Sequence, residues 1–104
     1  MSFNESLSSL ERTWLMTRVT GSTPSMPLNQ LRKLYYAAQV GGTFNTLHEY
    51  QGRWLAKVIT DNGGTPSATQ HISTLLKQAL SALGYTISTS TSANWQQLYR
   101  RYAP

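Results

Sequence analysis

The chain has 104 residues, nine Lys and Arg against four Asp and Glu, and no Cys. That length fits one domain over residues 1–104 with a single modest core, and the missing Cys excludes a disulfide framework, a thiolate zinc site and a cysteine nucleophile. Charged residues make up only 12% of the chain, so the net charge of +5 reflects scarce acids rather than abundant bases; twelve Ser and thirteen Thr add a hydrogen-bonding surface of little charge.

In chain order, the first predicted element is a helix over 5–19. Leu7, Leu10 and Trp14 fall on one helical face, and Ser2-x-x-Glu5 and Ser8-x-x-Glu11 have the form of capping boxes. The opening residues, Met1-Ser2-Phe3-Asn4-Glu5, have no basic or apolar leader character, so no signal peptide is expected. Asn4-Glu5-Ser6 has the form of a glycosylation sequon and reads as chance without a secretion route.

After the Gly21–Pro27 loop, Leu28, Leu31, Tyr35 and Ala38 predict a second helix over 27–40, with Pro27 in its first turn. Leu47, Tyr50, Trp54 and Val58 predict a third over 45–60, started by a Thr46-x-x-Glu49 box and interrupted by Gly52, which costs about 1 kcal/mol against Ala. Asp61-Asn62-Gly63-Gly64 reads as its cap and turn, since a calcium loop would need further acids and a P-loop would need a Lys. Ile72, Leu75, Leu76, Ala79 and Leu83 predict a fourth helix over 69–83, ended at Gly84. Tyr85–Thr91 alternates and is β-prone but has no evident partner, so it reads as a connector, with a strand pairing to another chain as the alternative. Trp95, Leu98, Tyr99 and Tyr102 close the series with a helix over 92–102. No stretch approaches the ~20 apolar residues of a membrane span. The expected fold is all-α: a compact irregular bundle of about five short helices.

Catalytic chemistry finds little to stand on. Glu5, Glu11, Glu49 and Asp61 are the only carboxylates, and Glu5 and Glu11 read as first-turn acids suited to the helix dipole. His48 could be imagined as a general base among hydroxyls, yet no nucleophile elbow accompanies it, and it reads as a surface histidine. His48 and His71 alone do not compose a metal site. No enzyme activity, metal or cofactor is expected.

Binding is the better prospect. Arg32, Lys33, Arg100 and Arg101 are candidate phosphate contacts, with aromatics interleaved near Arg100-Arg101 as nucleic-acid binders arrange them. The second and third helices could be read as a helix-turn-helix, but Asn45-Thr46-Leu47-His48-Glu49 is a poor recognition end. Eleven aromatics are hard to hide in five short helices, so some are expected to face a partner. Trp95, Tyr99, Arg100, Arg101 and Tyr102 are the candidate interface; the competing expectation is that Trp95, Leu98 and Tyr102 close the core.

One unit recurs: an apolar residue, another at +3, and an apolar pair at +7 and +8. It runs through Leu7-x-x-Leu10 with Trp14-Leu15 and Leu28-x-x-Leu31 with Tyr35-Tyr36, returns shifted as Phe44-x-x-Leu47 with Trp54-Leu55, and precedes Lys77-Gln78-Ala79-Leu80. With its Ser, Thr and Asn flanks the unit resembles those of small helical virion proteins and modules of tailed bacteriophages, especially of actinobacterial hosts. The sequence departs from the pattern at Tyr50-Gln51-Gly52, an insertion, and at Trp95, which replaces a Leu. The resemblance implies a non-enzymatic structural protein that decorates or stabilises a capsid or joins head, neck or tail subunits. It implies other virion proteins as partners, many copies in a symmetric assembly, and a place in the virion and, during assembly, the host cytoplasm. A small basic nucleic-acid-binding protein is the alternative.

Overall fold

The computed structural model describes residues 6–69 and 71–102. Five helices follow one another: α1 (Leu7–Arg18), α2 (Leu28–Gln39), α3 (Leu47–Asp61), α4 (Ile72–Leu83) and α5 (Thr91–Arg101). The fold is all-α, with no strand among the described residues. α3 packs on α4, α1 on both α2 and α5, and α4 on α5, so α1 and α5 meet although they lie at opposite ends of the chain.

The helix starts follow cap chemistry. Thr46 Oγ1 accepts the Glu49 N–H at 3.1 Å, and Ser90 caps α5 through Ala93 N–H. α1 is capped by Ser6, whose Oγ accepts the Ser9 N–H. The expected Ser8-x-x-Glu11 box therefore does not form, because Glu11 is already inside the helix; the Ser2-x-x-Glu5 box lies outside the described residues. α4 starts at Ile72 rather than 69, since Thr69 Oγ1 accepts the His71 N–H and keeps that stretch in a turn. It ends at Gly84, where φ +77° suits a residue without Cβ and the Tyr85 N–H bonds Leu80 O at 2.8 Å.

Residues 85–90 connect α4 to α5 without a strand, and Thr91 is already the first residue of α5. Buried Asn94 holds this segment by accepting the Ser88 N–H and donating to Ser88 O, at 2.7 and 3.0 Å, and Gln97 donates to Thr86 O. Within the chain the segment is held by these side-chain bonds to α5 and forms no ladder.

The core is an aromatic cluster centred on Trp54. Its ring meets those of Trp14, Tyr35, Tyr50, Trp95, Tyr99 and Tyr102 at centroid distances of 5.2–6.5 Å. Tyr36, Phe44 and Tyr50 form a smaller cluster beside it. The expectation that aromatics must spill onto the surface is thus corrected. Nine of them (Trp14, Tyr35, Tyr36, Phe44, Tyr50, Trp54, Trp95, Tyr99 and Tyr102) are buried, because each ring covers its neighbours. Exposed large apolar side chains are instead Leu34, Leu47 and Ile87.

Candidate functional site

Of the three carboxylate side chains among the described residues, Glu11 behaves otherwise than as a surface acid. Glu11 is buried and takes a bidentate pair of bonds from Arg32, Nε at 2.8 Å and Nη2 at 2.7 Å. This is the fork geometry that guanidinium and carboxylate favour. The Arg32 cation also lies 5.9 Å from the Tyr50 ring centre, and its bonds to Glu11 raise its pKa further. Arg32 is thereby corrected from a phosphate contact to half of a buried ion pair that ties α2 to α1. Glu49 receives the Asn45 N–H at 3.3 Å and pairs with Arg53 at 3.6 Å, while Asp61 pairs with Lys57 at 2.7 Å.

The remaining candidate phosphate residues separate. Lys33 borders a hollow with Ala37, Gly42 and Phe44, between α2 and the loop that follows it. Arg100 and Arg101 lie at the end of α5. Arg32, Lys33, Arg100 and Arg101 therefore do not line one groove.

Arg100 and Arg101 do gather with other residues. α1 presents Leu10, Thr13, Trp14, Thr17 and Arg18 on one side, as i, i+3 and i+4 spacings dictate. Against it, the last turn of α5 presents Tyr99, Arg100, Arg101 and Tyr102. Between them runs a groove of about 360 Å³. Tyr99 and Tyr102 form its inner wall and are neutral phenols whose pKa burial pushes up. The groove is closed at one end by two bonds to the Tyr102 carbonyl: Trp14 Nε1–H donates at 3.0 Å and Arg18 Nη2 at 2.5 Å.

Among the described residues, no arginine of the groove pairs with a carboxylate. Arg18 lies 4.9 Å from the Trp14 ring centre and donates to Thr17 Oγ1, while its Nε–H is buried without a partner. Arg101 lies 4.2 Å from the Tyr85 ring centre and donates to Gln97 Oε1 at 2.6 Å. Arg100 is exposed. All three occupy last helical turns, where cations suit the dipole by about 0.3–1 kcal/mol each. That local preference accounts for their sequence positions, and the α1/α5 packing brings the three together.

Of the candidate interface residues, Tyr99, Arg100, Arg101 and Tyr102 line this groove, and Trp95 does not. Trp95, Tyr99 and Tyr102 are at most 8% exposed, so they serve the core first and offer only edges to a partner. Sequence reasoning missed Thr13, Trp14, Thr17 and Arg18 as groove residues. The Trp14/Arg18 pair at i, i+4 was the available signal, since that spacing lets a guanidinium cover an indole.

A second groove, of about 340 Å³, lies between α3 and α4 and includes His48, Gly52, Arg53 and Ile72. His48 makes no side-chain hydrogen bond among the described residues and shares this groove with Ser67 and Thr69. No group of three or more His, Asp and Glu gathers among the described residues, and no helix among them is long and apolar enough to cross a membrane. No family model matches the chain, and no curated protein or solved structure is significantly similar to it.

Proposed function

We propose that this chain is a non-enzymatic structural component of a tailed-bacteriophage particle. It joins or decorates capsid, neck or tail subunits in many symmetric copies, within the virion and, during assembly, the host cytoplasm. The observation that supports this best is the α1/α5 groove. A rigid aromatic core presents three fixed or exposed guanidiniums around it. Tyr, Trp and Arg in such a setting are the residue types that anchor protein interfaces. The recurring Leu-x-x-Leu and aromatic units, which resemble those of phage virion proteins, supply much of the core of α1, α2 and α3.

The reading is tested by density-gradient fractionation of the producing lysate, with mass spectrometry counting this chain against the most abundant particle protein. Hundreds of copies per particle indicate capsid decoration, and about a dozen a neck or tail ring, by the closed symmetries such assemblies adopt. A chain that stays in the soluble fraction overturns the proposal.

A nucleic-acid-binding role is the second reading, favoured by the juxtaposition of Arg18 with Trp14 and of Arg101 with Tyr85. Its affinity would fall steeply with salt, roughly in proportion to the number of phosphates contacted. An interface dominated by apolar contacts changes far less.

A further inference from the structure

We infer that the α1/α5 groove receives a short acidic segment of a neighbouring virion subunit, whose carboxylates pair with Arg18, Arg100 and Arg101. The inference rests on the virion reading above. Charge complementarity carries it. Every carboxylate side chain among the described residues is already committed: Glu11 to Arg32, Glu49 to Arg53 and Asp61 to Lys57. Among the described residues the three groove arginines have no carboxylate partner. A second copy of this chain is therefore a poor occupant, because its described acids are spent on its own cations.

The geometry suits carboxylate recognition. Stacking on Trp14 and bonds to Thr17 and Tyr102 fix the Arg18 plane, and Tyr85 and Gln97 fix Arg101. A pre-oriented guanidinium loses less freedom when it forms a bidentate bond. The exposed hydroxyl of Thr13 offers a partner for backbone beside them, while that of Thr17 already donates to Trp14 O. At about 360 Å³ the groove stands at the small end of ligand sites, in keeping with a few residues of chain.

Nucleic acid is the less suitable occupant. A strand needs a track of cations for successive phosphates. Here Arg32 is committed to buried Glu11, Arg53 and Lys57 share exposed pairs with Glu49 and Asp61, and Lys33 borders a different hollow.

The test titrates the full chain with a labelled twelve-residue Glu-Gly repeat, its Gln-Gly counterpart and a labelled single-stranded oligonucleotide. The expected result is at least about tenfold tighter binding of the Glu-Gly peptide than of the Gln-Gly peptide, as one charge-assisted contact implies. Arg100→Gln with Arg101→Gln removes that difference, and Lys33→Gln leaves it unchanged. Both arginines are exposed, so the double variant is expected to fold; an unchanged thermal transition verifies this. Equal binding of the two peptides, equal loss with Lys33→Gln, or preference for the oligonucleotide overturns the inference. The same double variant, supplied during particle assembly, separates the two proposals. If it enters particles like the wild type, the groove inference falls and the virion reading stands. If the wild type itself is absent from particles, the virion reading falls whatever the peptides do.

Discussion

Replacing Arg32 with Ala strands a buried carboxylate. Glu11 is 5% exposed and takes both of its strong bonds from Arg32, at 2.7 and 2.8 Å. Removing one partner of a buried pair costs about 3–5 kcal/mol, because the remaining charge keeps its desolvation penalty without its compensation. The Arg32 side chain is 16% exposed, so some water already reaches the pair, and the lower end of that range applies, about 3 kcal/mol. Loss of the guanidinium beside Tyr50 adds a fraction of a kcal/mol. A domain of this size has roughly 5–15 kcal/mol of stability, so the variant forfeits a large share. Urea unfolding followed by tryptophan fluorescence measures it. With a slope near ~1.5 kcal/mol/M, the midpoint falls by roughly 2 M. Glu11→Met combined with Arg32→Leu recovers most of the loss, since apolar groups of similar volume commonly replace such pairs without penalty. An Arg32→Ala midpoint within ~0.5 M of wild type at unchanged slope would refute the reasoning, since it would mean that Glu11 is solvated or otherwise satisfied.

Three further outcomes follow from the core and its turns. Tyr50→Phe removes a buried hydroxyl that has no hydrogen-bond partner, so it is expected to be neutral or to stabilise by up to ~1 kcal/mol, read as an unchanged or raised Tm. Gly52→Ala and Gly64→Ala have opposite signs. A Cβ at Gly52 meets only Ile72 Cδ1 at 3.6 Å and stabilises α3 by about 0.5–1 kcal/mol, whereas one at Gly64 meets Ile59 Cγ2 at 2.8 Å and lowers Tm. Burial raises the pKa of Tyr35, Tyr50, Tyr99 and Tyr102 above the ordinary phenol value. The folded chain therefore holds these protons after the unfolded chain would release them. Stability is full below pH ~10 and falls as pH rises above it, by up to roughly 1.4 kcal/mol per unit for each of these tyrosines. In a spectrophotometric alkaline titration, the phenolate absorbance of these tyrosines should appear together with loss of helix rather than ahead of it.

The five helices were legible because each carries an apolar stripe and ends at a Gly or Ser/Thr signal. Gly84 and the Thr46 cap behave as their local chemistry dictates. What pairwise spacing along one helix could not give was pairing between helices. Glu11 reads as a dipole acid in isolation, and only the α1/α2 packing turns it into the partner of Arg32. Likewise Trp95, Tyr99 and Tyr102 read as an interface or a core with equal right, and the decision depends on Trp54 standing between α1 and α5 to receive them. Arg18 was overlooked as a groove residue because the α5 side of the groove, Tyr99 to Tyr102, lies more than eighty residues away in sequence.

The bonds from Trp14 and Arg18 to the Tyr102 carbonyl have a mechanical consequence. Tension applied through the two ends of the chain passes along α1 to residue 14, across this clasp and out at residue 102. The 87 residues between are off the load path while the clasp holds, so the first event under pulling is separation of α5 from α1 rather than unravelling of α2, α3 or α4. A chain held at both ends would thus transmit force through a short bridge of Trp14, Arg18 and Tyr102, at the edge of the aromatic cluster, and spare α2, α3 and α4 while that bridge holds.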